Sequence, residues 1–140
     1  MLTTTLLHPE ILRALGRAGH GAQVLIADGN YPFTTGSLAT AEKVFLNLRP
    51  GMVTVTDVLE ALVASIPIEA ATVMVPDDKA DQPIFREFHQ RLPKKLELTK
   101  IGRFEFYDRA RSNDTALVIA TGEQRIYANI LLTIGVRAPK

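Results

Sequence analysis

Cysteine is absent from this chain of 140 residues. Its absence excludes disulfide bonds, a thiolate nucleophile and cysteine-bound metal, whereas it leaves the cellular compartment open. An excess of one charge is lacking too, because 16 Lys and Arg balance 15 Asp and Glu to a formal net charge of +1. No basic run is longer than Lys94-Lys95. We therefore expect no nucleic-acid partner and no anionic membrane surface as a partner.

Long hydrophobic runs are also missing. No apolar stretch approaches the ~18 residues of a membrane-spanning helix, and the segment Met1–Thr5 lacks the charged start and apolar core of a signal peptide. The expectation is a cytoplasmic protein. Hydrophobic residues make up 46% of the chain and charged residues 22%, which fits one domain over residues 1–140 that buries roughly two thirds of its unfolded surface.

Several familiar site patterns are absent. The three histidines, His8, His20 and His89, have no paired ligand spacing, so we expect no metal site. The segment Gly19–Val24 begins like a dinucleotide-binding fingerprint, but Val24 stands where the third glycine belongs. The chain contains no Gly-Lys-Ser/Thr phosphate loop, and Gly36-Ser37 lacks the flanks of a nucleophile elbow. We therefore expect no cofactor.

The pattern that is present is an alternation of amphipathic segments with short apolar runs. Helices are predicted from about Pro9 to Ala18, after the capping sequence Thr54-x-x-Asp57, from about Gln82 to Arg91, and over Arg103 to Arg111. Strands are predicted over Ala22 to Ala27, Val44 to Leu48, Ala71 to Val75, Ala116 to Ala120 and Ile130 to Ile134. This order predicts an α/β fold, a single compact domain with a largely parallel open sheet flanked by helices.

The first helix is followed by Gly19-His20-Gly21. We expect Gly19 to end the helix in the left-handed conformation. His20 has no bulky neighbour, so its ring can stand open toward a ligand and exchange protons near neutral pH. Asp28 ends the next strand, where open α/β sheets place their sites. These residues predict an acid/base site, although His20 could also serve only the helix end and Asp28 only a turn.

Tyr127 and Asn129 flank one alanine before the last strand. Side chains two residues apart in an extended segment face the same way, so both could project from an end of the sheet. The alternative is a tyrosine packed at the edge of the core and an asparagine that forms an Asx turn.

Taken together, five segments in order resemble the family of ribose pyranases and fucose mutarotases. The segments are Gly19-His20-Gly21, Ala27-Asp28, Arg103-Phe104-x-Phe106-Tyr107-x-Arg109-Ala110, Thr121-Gly122-Glu123, and Tyr127-Ala128-Asn129-Ile130-Leu131-Leu132. The resemblance covers nearly the whole chain. It implies a small α/β isomerase that interconverts anomers or ring forms of free monosaccharides without a cofactor. It also implies a homo-oligomer, with a decamer expected, whose sites lie near subunit boundaries.

The resemblance implies a role for each site residue. His20 resembles the proton donor of the family, and its sugar contacts are matched by Asp28, Arg103, Tyr127, Ala128 and Asn129. Asp28 could either orient the His20 imidazole or bind a sugar hydroxyl, and the sequence leaves both roles open. Arg103 before its aromatic helix resembles the fucose branch, whereas Tyr-Ala-Asn is closer to ribose pyranases. The loop after Asp28 departs from the Asp-Ala-x-x-Pro pattern of both branches, which puts the preferred sugar in question.

The expected function is therefore a cofactor-independent mutarotase for a fucose-like sugar. One alternative is a D-ribose pyranase, which uses the same chemistry. The other is a module that binds a sugar without catalysis. His20 together with Asp28 favours the enzyme, because binding alone would not need an acid/base group between two glycines.

Overall fold

The computed structural model describes all 140 residues, which form six strands and four helices. In chain order these are α1 (Pro9–Arg17), β1 (Gln23–Ala27), β2 (Glu42–Phe45), α2 (Val55–Val63), β3 (Ile68–Val75), α3 (Pro83–Arg91), β4 (Leu98–Gly102), α4 (Arg103–Ala110), β5 (Thr115–Ala120) and β6 (Ile130–Ile134). No candidate for a membrane span occurs among the four helices, the longest of which have nine residues.

All six strands belong to one mixed sheet in the order β2-β5-β1-β6-β3-β4. β2, β5 and β1 pair in parallel, as do β3 and β4, whereas β6 is antiparallel to both β1 and β3. The largely parallel α/β sheet predicted from the sequence is thus confirmed. The carboxyl ends of five strands and the start of β6 meet at one edge of the sheet, here called the carboxyl edge. The opposite side is the amino edge.

The sheet is buried on both faces. Val24 and Ile26 of β1 belong to a core of 24 buried residues that also includes Leu59 of α2 and Phe88 of α3. The intervening residues of β1 point the other way, into a core of 10 buried residues built around Phe106 of α4. Because successive side chains of a strand alternate between faces, a strand with two cores reads as a continuous apolar run.

Side-chain hydrogen bonds cap the starts of α2 and α1 at the positions predicted from the sequence. Thr54 Oγ1 accepts a hydrogen bond from the Asp57 backbone at 3.2 Å, and the Thr54 backbone donates to the Asp57 carboxylate at 2.9 Å. This capping box satisfies two backbone donors at the start of α2. At α1 the His8 ring accepts from the Ile11 backbone at 3.5 Å, so His8 is a helix cap.

Three local predictions were wrong. β4 was missed because it is the outermost strand of the sheet and buries only Leu98 and Ile101, which gives no apolar run in the sequence. β2 begins at Glu42 and ends at Phe45, since the chain then bends into a turn between Arg49 and Met52. The positive φ after α1, 84°, belongs to Gly21 and not to Gly19, because α1 ends on the extended Ala18.

Candidate functional site

A pocket of about 370 Å³ opens at the carboxyl edge. This volume lies within the range of ligand pockets, about 300–1,000 Å³. Its lining residues are Asp28, Asn30, Tyr31, Met74, Arg103, Tyr107, Ile126, Tyr127 and Asn129. Four residues predicted as sugar contacts are therefore brought together from distant parts of the chain: Asp28, Arg103, Tyr127 and Asn129.

Asp28 and Asn129 form a buried polar pair at the base of this pocket. The Asp28 backbone N–H donates to Asn129 Oδ1 at 2.7 Å, and Asn129 Nδ2 donates back to Asp28 Oδ2 at 3.0 Å. The other carboxylate oxygen accepts from the Asn30 backbone at 2.9 Å. These bonds fix the orientation of the Asn129 amide. Both carboxylate oxygens therefore accept hydrogen bonds, and the backbone N–H groups of Tyr31 and Ala128 also face this carboxylate.

Burial shapes the acidity of this carboxyl group. Asp28 is only 4% exposed, and desolvation raises its pKa above the ordinary value, although hydrogen bonds from Asn30 and Asn129 partly oppose that effect. Asp28 therefore binds a proton more readily than an aspartate in water. A carboxylate of this kind can accept both a hydrogen bond and a proton from a bound hydroxyl.

One wall of the pocket is apolar and aromatic. Tyr31 is buried, donates its hydroxyl proton to the Gly36 carbonyl at 2.6 Å, and packs edge-on against Tyr107 at 5.4 Å between ring centroids. Met74 near the end of β3 and Ile126 complete this wall. Sequence reasoning missed these four residues as pocket-lining groups. Only Tyr107 carried a usable signal, since it lies one helical turn after Arg103.

Arg103 is the first residue of α4 and lies at the rim of the pocket. Its guanidinium carbon stands 4.8 Å from the centre of the Phe104 ring, a stacking contact typical of arginine. Because no acidic side chain of the chain pairs with it, its donors are available to a ligand.

Ala128 contributes to the site through its backbone. Its side chain is fully buried, and its N–H faces the Asp28 carboxylate. The preceding Tyr127 has a φ of 57°, so the segment is not extended as the sequence suggested. This turn lets the Tyr127 ring and the Asn129 amide reach the same pocket.

The loop from Thr121 to Arg125 holds that segment in place. Thr121 donates its hydroxyl proton to the Ala27 carbonyl at 2.7 Å, and the Glu123 carboxylate accepts from the Val55 backbone at 3.2 Å. Arg125 donates to the same carboxylate at 2.9 and 2.8 Å. Burial alone would raise the pKa of Glu123, but the bonds from Arg125 outweigh it and lower that pKa. Glu123 thus stays ionised and fastens the loop to α2.

His20 lies apart from this pocket. It precedes β1 at the amino edge, where its Nε2 is 3.0 and 3.1 Å from the two carboxylate oxygens of Glu69. Asp28 follows the carboxyl end of β1. The five residues of this strand, at about 3.3 Å per residue, separate its two ends by about 16 Å. A single chain therefore does not bring His20 and Asp28 together.

Comparison with known proteins agrees with this architecture. The model of the RbsD / FucU transport protein family matches residues 1–137. The chain belongs to this family. It is 37% identical to the fucose mutarotase of Mus musculus over 142 residues, covering 92% of this chain and 89% of that protein. It is 30% identical to the D-ribose pyranase of Paracidovorax citrulli over 136 residues, covering 97% and 98%.

A solved structure gives the same result for the fold of this RbsD / FucU family member. The fucose mutarotase of Streptococcus pneumoniae, solved in complex with L-fucose, matches with a TM-score of 0.82 at 24% identity, covering 99% of this chain and 100% of that one. The family match and the curated relatives confirm the resemblance inferred from the five sequence segments. The roles of the individual site residues remain predictions.

Proposed function

We propose that this protein is a cofactor-independent isomerase that interconverts the anomers of a free monosaccharide of the fucose type. The observation that carries the proposal is the pocket at the carboxyl edge, which is lined both by polar groups, the Asp28–Asn129 pair and Arg103, and by apolar and aromatic side chains. Relatives named fucose mutarotase and D-ribose pyranase, at 30–37% identity, support the same chemistry.

This mixed lining suits the two kinds of surface that a sugar ring presents. Hydroxyl groups need directional partners, which Asp28, Arg103 and Asn129 offer, whereas the C–H face of the ring packs on aromatic side chains such as Tyr107. Met74 offers an apolar contact for the methyl group that fucose carries in place of a hydroxymethyl group. Ribose lacks this methyl group, so the pocket favours the fucose reading over the pyranase alternative.

Anomer exchange requires two proton transfers. The ring oxygen gains a proton from the His20 imidazolium, and the anomeric hydroxyl gives its proton to the Asp28 carboxylate. The bond between the anomeric carbon and the ring oxygen breaks, and an aldehyde forms. Rotation about the adjacent carbon–carbon bond exposes the other face of the aldehyde. Reclosure returns both protons, so no oxidant or cofactor is consumed.

His20 can take part only if a second copy of the chain supplies it, because its own pocket lies at the far end of β1. We therefore propose that the site is shared between subunits of a homo-oligomer, with a decamer expected from the family resemblance. Phe104 and Ile126, 70% and 64% exposed beside the pocket, provide apolar surface for such a contact. The cytoplasmic location expected from the sequence remains a prediction.

Magnetisation-exchange NMR with free fucose, ribose and galactose tests the proposal directly. We expect the protein to accelerate fucose exchange most. His20→Ala should slow exchange by about 10²-fold or more with an unchanged circular dichroism spectrum, since an acid/base group supplies about 10²- to 10⁴-fold. His89→Ala removes an exposed histidine outside the pocket and should exchange at the native rate.

Two results would contradict the proposal. A native protein that binds fucose without accelerating its exchange would be a sugar-binding module. Folded His20→Ala protein that keeps exchange within about threefold of the native rate would remove His20 from the mechanism, because loss of an acid/base group costs far more.

A further inference from the structure

The Glu69 carboxylate contacts the His20 ring. Neither side chain lines the pocket at the carboxyl edge of the same chain, so that pocket gives Glu69 no role. Both of its carboxylate oxygens lie within hydrogen-bond distance of one ring nitrogen, Nε2, at 3.1 and 3.0 Å. The two side chains come from different elements, since His20 precedes β1 and Glu69 is the second residue of β3. They remain accessible, with 59% and 45% of their side chains exposed.

This contact determines which nitrogen carries the proton. An ionised carboxylate can only accept hydrogen bonds, so Nε2 must be the donor. A neutral imidazole has one N–H, and the other nitrogen, Nδ1, is then the proton acceptor. No side chain of the same chain forms a hydrogen bond with His20 Nδ1.

We propose that Glu69 is a positioning residue for the proposed isomerase reaction, holding His20 in the tautomer and orientation in which Nδ1 exchanges the proton with the ring oxygen of the sugar. The proposal rests on the function proposed above. In the charged form both nitrogens are protonated: Nε2–H stays on Glu69 while the Nδ1 proton passes to the ring oxygen. On reclosure the proton returns to Nδ1, so the pair is regenerated. Glu69 touches no reacting atom.

A double-mutant cycle separates this role from a structural one. Glu69→Ala should slow fucose exchange by about tenfold in the native background, the lower end of the loss seen when a carboxylate that orients a metal-bound histidine is removed. It should cause no further loss in His20→Ala protein, because Glu69 acts only through the imidazole. The fucose dissociation constant should not change.

Two further variants sharpen the test. Glu69→Gln keeps an acceptor oxygen in the same place and should hold exchange within about threefold of native, since the hydrogen bond survives without the charge. Glu97→Gln removes a charge from the same surface depression, which Glu69 and Glu97 both line, and should exchange at the native rate.

A readout independent of activity is the ¹⁵N spectrum of His20, assigned by its loss in His20→Ala. Native protein should show a single tautomer with the proton on Nε2, whereas Glu69→Ala should shift both ring nitrogens toward the values of a freely exchanging imidazole. Unshifted nitrogens, or an equal loss of exchange in both backgrounds, would overturn the role of Glu69. Native-like exchange by His20→Ala would instead overturn the mechanism under "Proposed function", and the role of Glu69 with it.

Discussion

At the residue scale, the site depends on polar groups whose partners are fixed before any ligand arrives. Asp28 and Asn129 bond to each other twice and are nearly inaccessible to water. Arg103 is the opposite case, because it is exposed at the pocket rim without a charged partner. The Asp28–Asn129 pair therefore offers a ligand polar groups in fixed positions, whereas Arg103 offers N–H donors whose position a bound ligand would fix.

Arg103 is therefore the residue on which we expect sugar choice to depend. Arg103→His should weaken fucose exchange by about 1–3 kcal/mol, the cost of losing a hydrogen bond to a charged group, and should affect ribose exchange less. Arg109→His is a matched control, since Arg109 lies on the same helix and pairs only with Glu105. Exchange measurements with both sugars decide the matter. Equal losses for fucose and ribose would take Arg103 out of the specificity argument.

At the element scale, the loop between β5 and β6 carries much of the site without regular secondary structure. Glu123, which is 3% exposed, holds this loop in place. Its carboxylate accepts hydrogen bonds both from Arg125 and from the Val55 backbone at the start of α2. Arg125 extends the contact to Glu87 of α3. The loop is thus fixed to two helices, and Tyr127 and Asn129 inherit that position.

Glu123→Gln should destabilise the fold by about 1–3 kcal/mol at pH 7, because Arg125 loses its buried counter-charge. The pKa of Glu123 is lowered in the folded state from the ordinary 4.5. Its contribution to stability is therefore fully present above pH 4.5 and is lost as the pH falls through the lower folded value.

Urea denaturation at pH 7 and at about pH 3 measures this difference. We expect the gap in unfolding free energy between native protein and Glu123→Gln to narrow in acid, because below pH 4.5 the unfolded chain binds a proton at Glu123 more readily than the folded protein does. Glu105→Gln changes an exposed carboxylate and should leave stability within about 0.5 kcal/mol of native at both pH values. A gap that stays constant with pH would show that the charge of Glu123 does not hold the loop.

At the scale of the whole molecule, the two halves of the proposed site lie at opposite edges of one sheet. β1 separates them, with His20 before it and Asp28 after it. A short strand buried on both faces cannot bend to bring its ends together. In the mechanism that we propose, a second copy of the chain supplies His20 to the pocket, and the exposed Phe104 beside that pocket offers apolar surface for the contact.

Mixing two inactive variants tests this arrangement. His20→Ala and Asp28→Asn should each lose exchange alone, yet their one-to-one mixture, refolded together, should regain about a quarter of native activity. The reason is that each site draws one half from each of two chains, and a random pair carries both native halves one time in about four. Light scattering should show a homo-oligomer for each variant alone and an assembly of the same size for the mixture. No recovery in a mixture shown to contain hetero-oligomers would place the complete site within one chain.

The sequence by itself determined what is local. The capping box at Thr54, the apolar run of β1 and the spacing of α4 each depend on neighbours along the chain, and for this reason the α/β order could be predicted. β4 could not, because an edge strand with two buried residues lacks a local apolar signal. The family resemblance followed from short segments that keep their order.

Only the tertiary structure decided which of these segments meet. It joined Asp28 to Asn129 across 101 positions of the chain and placed Met74 in the pocket wall, although its strand reads as ordinary core. It also placed His20 next to Glu69, at the opposite end of β1 from Asp28. The physical reason is that strand direction and order, not distance along the chain, determine which ends share an edge of the sheet, and they are fixed by pairing between remote segments.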